Sequence, residues 1–276
     1  MRTQRIMSEN SLISLGGLEL IMTYRGATQE RRDNLRGVLR HLDSTYSDYT
    51  VYLIEADATP TFHWSGSGDK KIRHLFIHDD GPFPRARLCN LGAKLCTGDV
   101  ICFHDADMVA NPDLFPACVD ALRYGAHSDA LCPFLRVINV AGVFREAFIR
   151  SGNYSALKPY LEADLAEGMA LLYANTAGGI VLIKRAEYRR IGGHDPRFIG
   201  WGGEDDDLLT RATRLGVRWH SVPEQRAALF HLHHDAASRR DAIAAAERNR
   251  EAAARTGAMP LVELQARAAE LAKYFS

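Results

Sequence analysis

Between Leu18 and about Ile138 the chain alternates short apolar, β-rich segments with stretches of helical periodicity, and this alternation constrains its fold more than any other feature. Strands are expected at Leu18–Tyr24, Thr50–Ile54, Ile72–His78, Val100–His104 and Ala130–Val137. Helices are expected at about Gln29–Leu42, Arg85–Cys96 and Pro112–Tyr124. Such an order predicts an α/β fold, a mainly parallel sheet with helices on both faces, whose ligands bind beyond the carboxyl ends of the strands. A long, mainly helical stretch, about Val143–Tyr173, then precedes a strand at Gly179–Ile183, a short helix, an acidic run with its own helix, and strands near Val217–Val222 and Ala227–His231. The tail from Ala236 is rich in Ala, Arg and Glu, which predicts helix broken near Gly257–Pro260. Packing on the core is its expected role, and docking to a partner or an acidic membrane surface is the alternative. The expected division is an extension over 1–17, a main domain over 18–235 with one half at 18–138 and another at 174–235, and the tail over 236–276.

The balance of 34 basic and 34 acidic residues excludes the basic excess of a nucleic-acid partner. Five cysteines, odd in number and without C-x-x-C spacing, suggest neither a disulfide framework nor a zinc knuckle, and a reducing cytoplasmic location is expected. The apolar stretch Leu12–Met22 is too short for a bilayer and is interrupted by Ser14, Gly16, Gly17 and Glu19, so neither an anchor nor a signal peptide is expected.

Three motifs carry chemistry. In Trp201-Gly202-Gly203-Glu204-Asp205-Asp206-Asp207, four consecutive carboxylates stand behind an indole and two glycines. Their mutual repulsion calls for a cation, a helix N-terminus or hydroxyl groups, and an aromatic face with hydrogen-bond acceptors suits a sugar. An exposed acidic first turn of a helix is the blander reading. Successive helical positions point about a hundred degrees apart, so the four cannot share one ligand, and Asp207 is expected to be structural. Asp105-Ala106-Asp107 follows the strand Val100–His104; alternation points both acids to one side, where they can hold Mg or Mn and through it a diphosphate. His231 and His234 of His231-Leu232-His233-His234 could complete a mixed oxygen and nitrogen site, which favours Mn. His233 has no assigned role, and the other histidines read as structural or exposed.

The segments Gly178-Gly179-Ile180 through Ile191-Gly192-Gly193, Phe198 and Gly200–Asp207 resemble the C-terminal half of GT-A fold glycosyltransferases of the β-1,4-galactosyltransferase and chondroitin-polymerase type. The N-terminal half resembles them more loosely, through Tyr24-Arg25, Phe83–Gly92 and Asp105-Ala106-Asp107. The resemblance implies inverting transfer of a hexose or N-acetylhexosamine from a UDP-sugar to a hydroxyl of a saccharide acceptor, with Mn2+, or possible Mg2+, held by Asp107 and His234. His231 stands where galactosyltransferases of this family have a methionine, which leaves its ligation open. The resemblance makes Asp205 the general base, with Trp201, Gly202, Glu204 and Asp206 at the acceptor. It places Tyr24, Arg25, Glu55, Arg85, Arg87, Asn90, Asp105, Ala106 and Gly179 around the nucleotide sugar.

The chemistry of the residues agrees with these roles. A carboxylate that takes the acceptor proton contributes about a hundred- to ten-thousand-fold, and a cation at the diphosphate stabilises the departing charge. Retaining polypeptide N-acetylgalactosaminyltransferases share a W-G-G-E stretch but follow it with an amide, which cannot accept a proton; Asp205 therefore favours inversion. Thr176 stands where the galactosyltransferases have a tyrosine that limits room for an N-acetyl group, so N-acetylhexosamine donors stay open beside galactose. The rivals are a retaining N-acetylgalactosaminyltransferase-like enzyme, a sugar-nucleotide pyrophosphorylase, for which Met22–Gly26 is a poor nucleotide loop, and a non-catalytic carbohydrate- or nucleotide-sugar-binding protein of the same fold.

Overall fold

The computed structural model describes residues 12–64, 70–160, 168–174, 177–222, 227–235 and 239–275. The first half runs β1 (Ile13–Tyr24), α1 (Gln29–Thr45), β2 (Tyr46–Asp57), β3 (Ile72–His78), α2 (Arg85–Leu95), β4 (Val100–His104), β5 (Met108–Val109) and α3 (Leu114–Tyr124). Next come β6 (Ala130–Cys132), β7 (Arg136–Val140), α4 (Gly142–Ser151), a 3-10 segment (Tyr154–Tyr160), β8 (Met169–Ala174), β9 (Ile180–Lys184) and α5 (Arg185–Arg190). The chain closes with α6 (Glu204–Arg214), β10 (Trp219–Ser221), β11 (Ala228–Leu232), α7 (Arg239–Ala258) and α8 (Leu261–Ala272).

Seven strands form the central sheet in the order β10-β6-β9-β4-β1-β2-β3. The β1–β2, β2–β3, β1–β4 and β6–β10 pairs are parallel, and β9 runs antiparallel between β4 and β6. All five residues of β4 are buried, as expected of a central strand covered on both faces. The first helix, α1, starts where the Thr28 hydroxyl accepts the Arg31 N–H (3.3 Å), and it buries Leu35, Val38, Leu39 and Leu42 at helical spacing.

Two expected elements differ. Ala130–Val137 is two strands, not one: β6 joins the central sheet and β7 a second, four-stranded sheet in the order β5-β11-β7-β8. Pro133, which has no N–H to give a ladder, lies between them. The stretch expected to be mainly helical ends instead in β8, which pairs antiparallel with β7; residues of good helix propensity are held as strand by that pairing. The middle of this stretch, 161–167, lies outside the described residues, as does Thr176.

The first strand begins at Ile13, inside the stretch expected as an extension. The tail folds as the helices α7 and α8, broken at Met259–Pro260. They lie behind α6: Thr256 Oγ1 donates to Asp207 Oδ1 (2.6 Å), and Arg267 donates to Thr256 Oγ1 (2.6 Å) and to Asp195 (Nε, 3.1 Å). Among the described residues no helix is long and apolar enough to cross a membrane.

Candidate active site

Two polar clusters meet at the carboxyl end of β4, one built on Asp107 and the other on Arg85. After His104 the chain turns, with the Met108 N–H donating to the Asp105 carbonyl (3.2 Å). It then enters β5, which pairs antiparallel with β11 so that Met108 lies opposite His231. The Leu232 N–H donates to the Asp107 carbonyl (2.8 Å). Asp107 thereby reaches histidines more than a hundred positions away: Oδ2 is 3.0 Å from His234 Nε2 and 3.9 Å from His231 Nε2. Among the described residues these three are the only group of acids, histidines or cysteines whose ligand atoms converge within 4.8 Å.

Their protonation suits a cation. The Nδ1 of His231 lies 2.8 Å from Asn139 Oδ1, and that of His234 lies 3.2 Å from the Asp235 carbonyl, so each ring donates from Nδ1 and turns an Nε2 lone pair toward Asp107. Burial lowers the pKa of His231 and favours its neutral form. Burial would raise Asp107, but His234 and His231 when protonated, with Arg31, outweigh it and hold it at about 2. A carboxylate and two imidazole lone pairs facing one point form a ligand set for a borderline divalent ion.

The second cluster is organised by Arg85 at the start of α2. From Nη2 and Nε it donates to Asp105 Oδ1 (2.8 and 3.3 Å), and from Nη1 to Asp205 Oδ1 (2.9 Å) and Glu204 Oε1 (3.2 Å). Gly203, at φ +84°, turns the chain into α6 so that Glu204 and Asp205 face Arg85. Asp207 faces the opposite side, fully buried, with Arg211 donating to its Oδ2 (2.8 and 3.0 Å). Asp206 is exposed, and Trp201, 59% exposed, stands at the rim with its carbonyl accepting from Asn249 Nδ2 of α7 (3.4 Å).

One guanidinium serves three carboxylates, and their acidities separate. Burial and then the charge of Asp205 push Glu204 up to about 7, and its Oε2 is buried with no hydrogen-bond partner. Burial would also raise Asp205, but Arg85, joined by His194 when that ring is protonated, brings it down to about 2. In Asp105 burial prevails over Arg85, with Asp107 and Asp205 adding to it, and the group rises to about 6. Gly178-Gly179 borders this second cluster. The Asp105 N–H donates to the Gly179 carbonyl (2.8 Å), and a Cβ on Gly178 would stand 2.7 Å from Asp205 Oδ2, so only glycine admits the base candidate there.

Residues 163–235 match the family described as "N-terminal domain of galactosyltransferase", and residues 42–173 match "Glycosyl transferase family 2". The solved structure of GalNAc-T7 with UDP, GalNAc and Mn2+ superposes with a TM-score of 0.53 at 14% identity, over 79% of this chain and 43% of that one. The chain has the fold of the GT-A glycosyltransferases. Among curated relatives, human polypeptide N-acetylgalactosaminyltransferase 10 is 27% identical over 146 residues, 49% of this chain and 24% of that protein. The β-1,4-galactosyltransferase 2 of Cricetulus griseus is 36% identical over 65 residues, 24% of this chain and 17% of that protein. The chain thus spans a quarter or less of the length of these relatives.

In this GT-A chain the expected donor-side residues do not all gather. Arg85, Asp105, Ala106 and Gly179 do. Arg25 is turned away: Nε donates to the Ala56 carbonyl (2.7 Å), Nη1 to that of Gly81 (2.7 Å) and Nη2 to that of Asp79 (3.0 Å), so it braces the loop after β3. Tyr24 is packed in the main core. Glu55 is fully buried, with Oε1 accepting from Thr61 and Phe62 and Oε2 held by His74 Nε2 (2.8 Å). Asn90 is buried against the backbone of His194 (2.7 and 2.9 Å). Arg87, two positions after Arg85, is exposed about two hundred degrees around the helix. Asp105 and Asp107 do not share a face either, because they sit in a turn rather than on a strand; one meets Arg85 and the other the histidines.

Three residues of the site went unread in the sequence. Asn139 orients His231, Arg31 on α1 acts on Asp107 and His231, and His194 lies 3.4 Å from Asp205. His194 stands eleven residues before Asp205, in a loop; nothing in its spacing marks it.

Proposed function

We propose that this chain transfers a hexose or N-acetylhexosamine from a UDP-sugar to a hydroxyl of a saccharide acceptor, with inversion and dependent on a divalent ion. The observation that carries the reading is that Asp105 links the two groups: Arg85 ties it to Asp205, and two residues on Asp107, whose charge it feels, meets His231 and His234. Asp107, His234 and His231 would hold Mn2+, with Mg2+ the harder alternative, and the ion would neutralise charge developing on the departing diphosphate. Asp205 takes the acceptor proton, and Glu204, Asp206, Gly202 and Trp201 line the acceptor side.

In the resting arrangement Arg85 makes Asp205 a weak base. A donor diphosphate competes for the same guanidinium, and as Arg85 turns to it Asp205 gains proton affinity, so donor binding readies the base. The five cysteines, all buried free thiols, support a cytoplasmic location. The exposed face of the tail helices leaves peripheral membrane association open to test.

The test is a screen of UDP-sugars with Mn2+, reading UDP release, with Asp205→Asn as control. The variant should lose transfer and keep the Mn2+-dependent UDP thermal shift; equal turnover by both proteins would remove Asp205 as base. A retaining reaction is the second reading, favoured by the similarity to an N-acetylgalactosaminyltransferase across 49% of this chain. The anomeric configuration of the product, read by NMR, separates the two.

A further inference from the structure

The amide of Asn90 fixes the protons along a buried chain that ends on Asp205. Its Nδ2 donates to the His194 carbonyl (2.7 Å) and its Oδ1 accepts the His194 N–H (2.9 Å); only one orientation of the amide satisfies both. The same Oδ1 accepts the Tyr188 hydroxyl (2.6 Å), which uses the one proton Tyr188 has. The Tyr188 oxygen can then only accept, and it lies 3.1 Å from the His194 N–H and 2.7 Å from His194 Nδ1. Nδ1 must therefore carry a proton. In the neutral ring the lone pair falls on Nε2, which faces Asp205 Oδ1 at 3.4 Å. Neither atom can donate, and one added proton converts this opposition into a hydrogen bond.

We propose, on the reading of Asp205 as base, that His194 is its positioning residue and that the two receive the acceptor proton as a single unit. The acceptor O–H bond breaks as its oxygen bonds to the anomeric carbon. The bond from that carbon to the diphosphate oxygen breaks, with its electron pair leaving on the diphosphate. The proton arrives on Asp205, and the resulting carboxylic acid can donate to Nε2 where the carboxylate could not.

Surroundings keep the ring neutral beforehand. His194 is fully buried among Tyr188 of α5, Asn90 and Arg85 of α2, Arg211 of α6 and the ring of Phe103 on β4 (5.1 Å), and Cys89 of α2 faces Tyr188. Burial first, and then the two arginines, disfavour an imidazolium, while Asp205 alone favours it.

The test is 15N NMR of the histidine rings in the metal-free full chain, with His194 assigned from His194→Gln or, should that variant fail to fold, from the shift produced by Tyr188→Phe. At pH 8 His194 is expected as the Nδ1–H form with a bare Nε2. In Asp205→Asn, whose amide can donate to Nε2, the ring should stay neutral to at least about one pH unit lower than in the parent. An Nε2–H form, or the same titration in both proteins, would overturn the proposal. With whichever of UDP-galactose and UDP-N-acetylgalactosamine is turned over, His194→Gln should lower kcat about tenfold or more and leave the donor KM within about twofold. The ring signal needs no substrate, so its failure is separate from a failure of Asp205 as base, which shows as transfer retained by Asp205→Asn.

Discussion

Arg85 donates to Asp205 at 2.9 Å from the same Nη1 that reaches Glu204 at 3.2 Å, so one nitrogen sets the charge state of two neighbouring acids of the acidic run. Removing it leaves three carboxylates facing one another in a largely dry site. Arg85→Ala should lower stability by about 3–5 kcal/mol, the usual result of breaking a buried ion pair from one side. Adding Glu204→Gln should recover part of that loss. Denaturant melts of the single and double variants check this, and purely additive losses would remove Arg85 as the hub.

Acidity predicts a stability profile in the metal-free protein. Glu204, raised from 4.5 to about 7, and Asp105, raised from 3.8 to about 6, hold protons when folded that the unfolded chain has released. Stability should therefore fall as pH rises from about 4 through about 7. Asp107 and Asp205, lowered from 3.8 to about 2, contribute stability above pH 4 that is lost as pH drops through about 2. Glu204→Gln should flatten the upper slope and stabilise the protein by about 1–2 kcal/mol at pH 8. Melting temperature against pH, in chelator, is the measurement.

The ion site makes a graded prediction. Saturating Mn2+ should raise stability by about 2.7 kcal/mol at a hundred times Kd, and Asp107→Ala or His234→Ala should abolish that rise. His231→Ala should weaken it, and Asn139→Ala, which frees the His231 ring to turn, should weaken it less, within the ten- to hundredfold usual for an outer partner. Titration calorimetry with Mn2+ orders the four.

Neighbours in the acidic run should behave oppositely. Asp207→Asn loosens the buried bond to Arg211 and should lower stability by about 2–4 kcal/mol. Asp206→Asn, at an exposed position, should change stability by less than about 0.5 kcal/mol and act on transfer alone. Thermal melts beside UDP release distinguish them.

Gly178→Ala places a methyl 2.7 Å from where Asp205 Oδ2 lies. Displacing the carboxylate by about 1 Å should reduce turnover about a hundredfold, with little change in Mn2+ affinity.

Sequence determined the elements because their signals are local. Periodicity located α1, β3, α2 and β4 to within a few residues and the end of β1 at Tyr24, and the glycine and acid spacing of Trp201–Asp207 marked the start of α6. Pairing and direction are different matters. Whether Ala130–Val137 is one strand or two, and whether Met169–Ala174 is helix or strand, depended on partners about 30 to 100 residues away. Arg25, Glu55 and Asn90 occupied positions that suited a donor site, but a position in sequence carries no side-chain direction, and each turned inward to satisfy buried backbone groups. His194 showed the converse, a histidine without a motif that only the packing of α5 and α2 brings to Asp205. The chain by itself fixed which chemical groups are present and which elements carry them. The tertiary structure decided which groups meet, because the low-dielectric contacts that set their charges form only where distant segments close over one another.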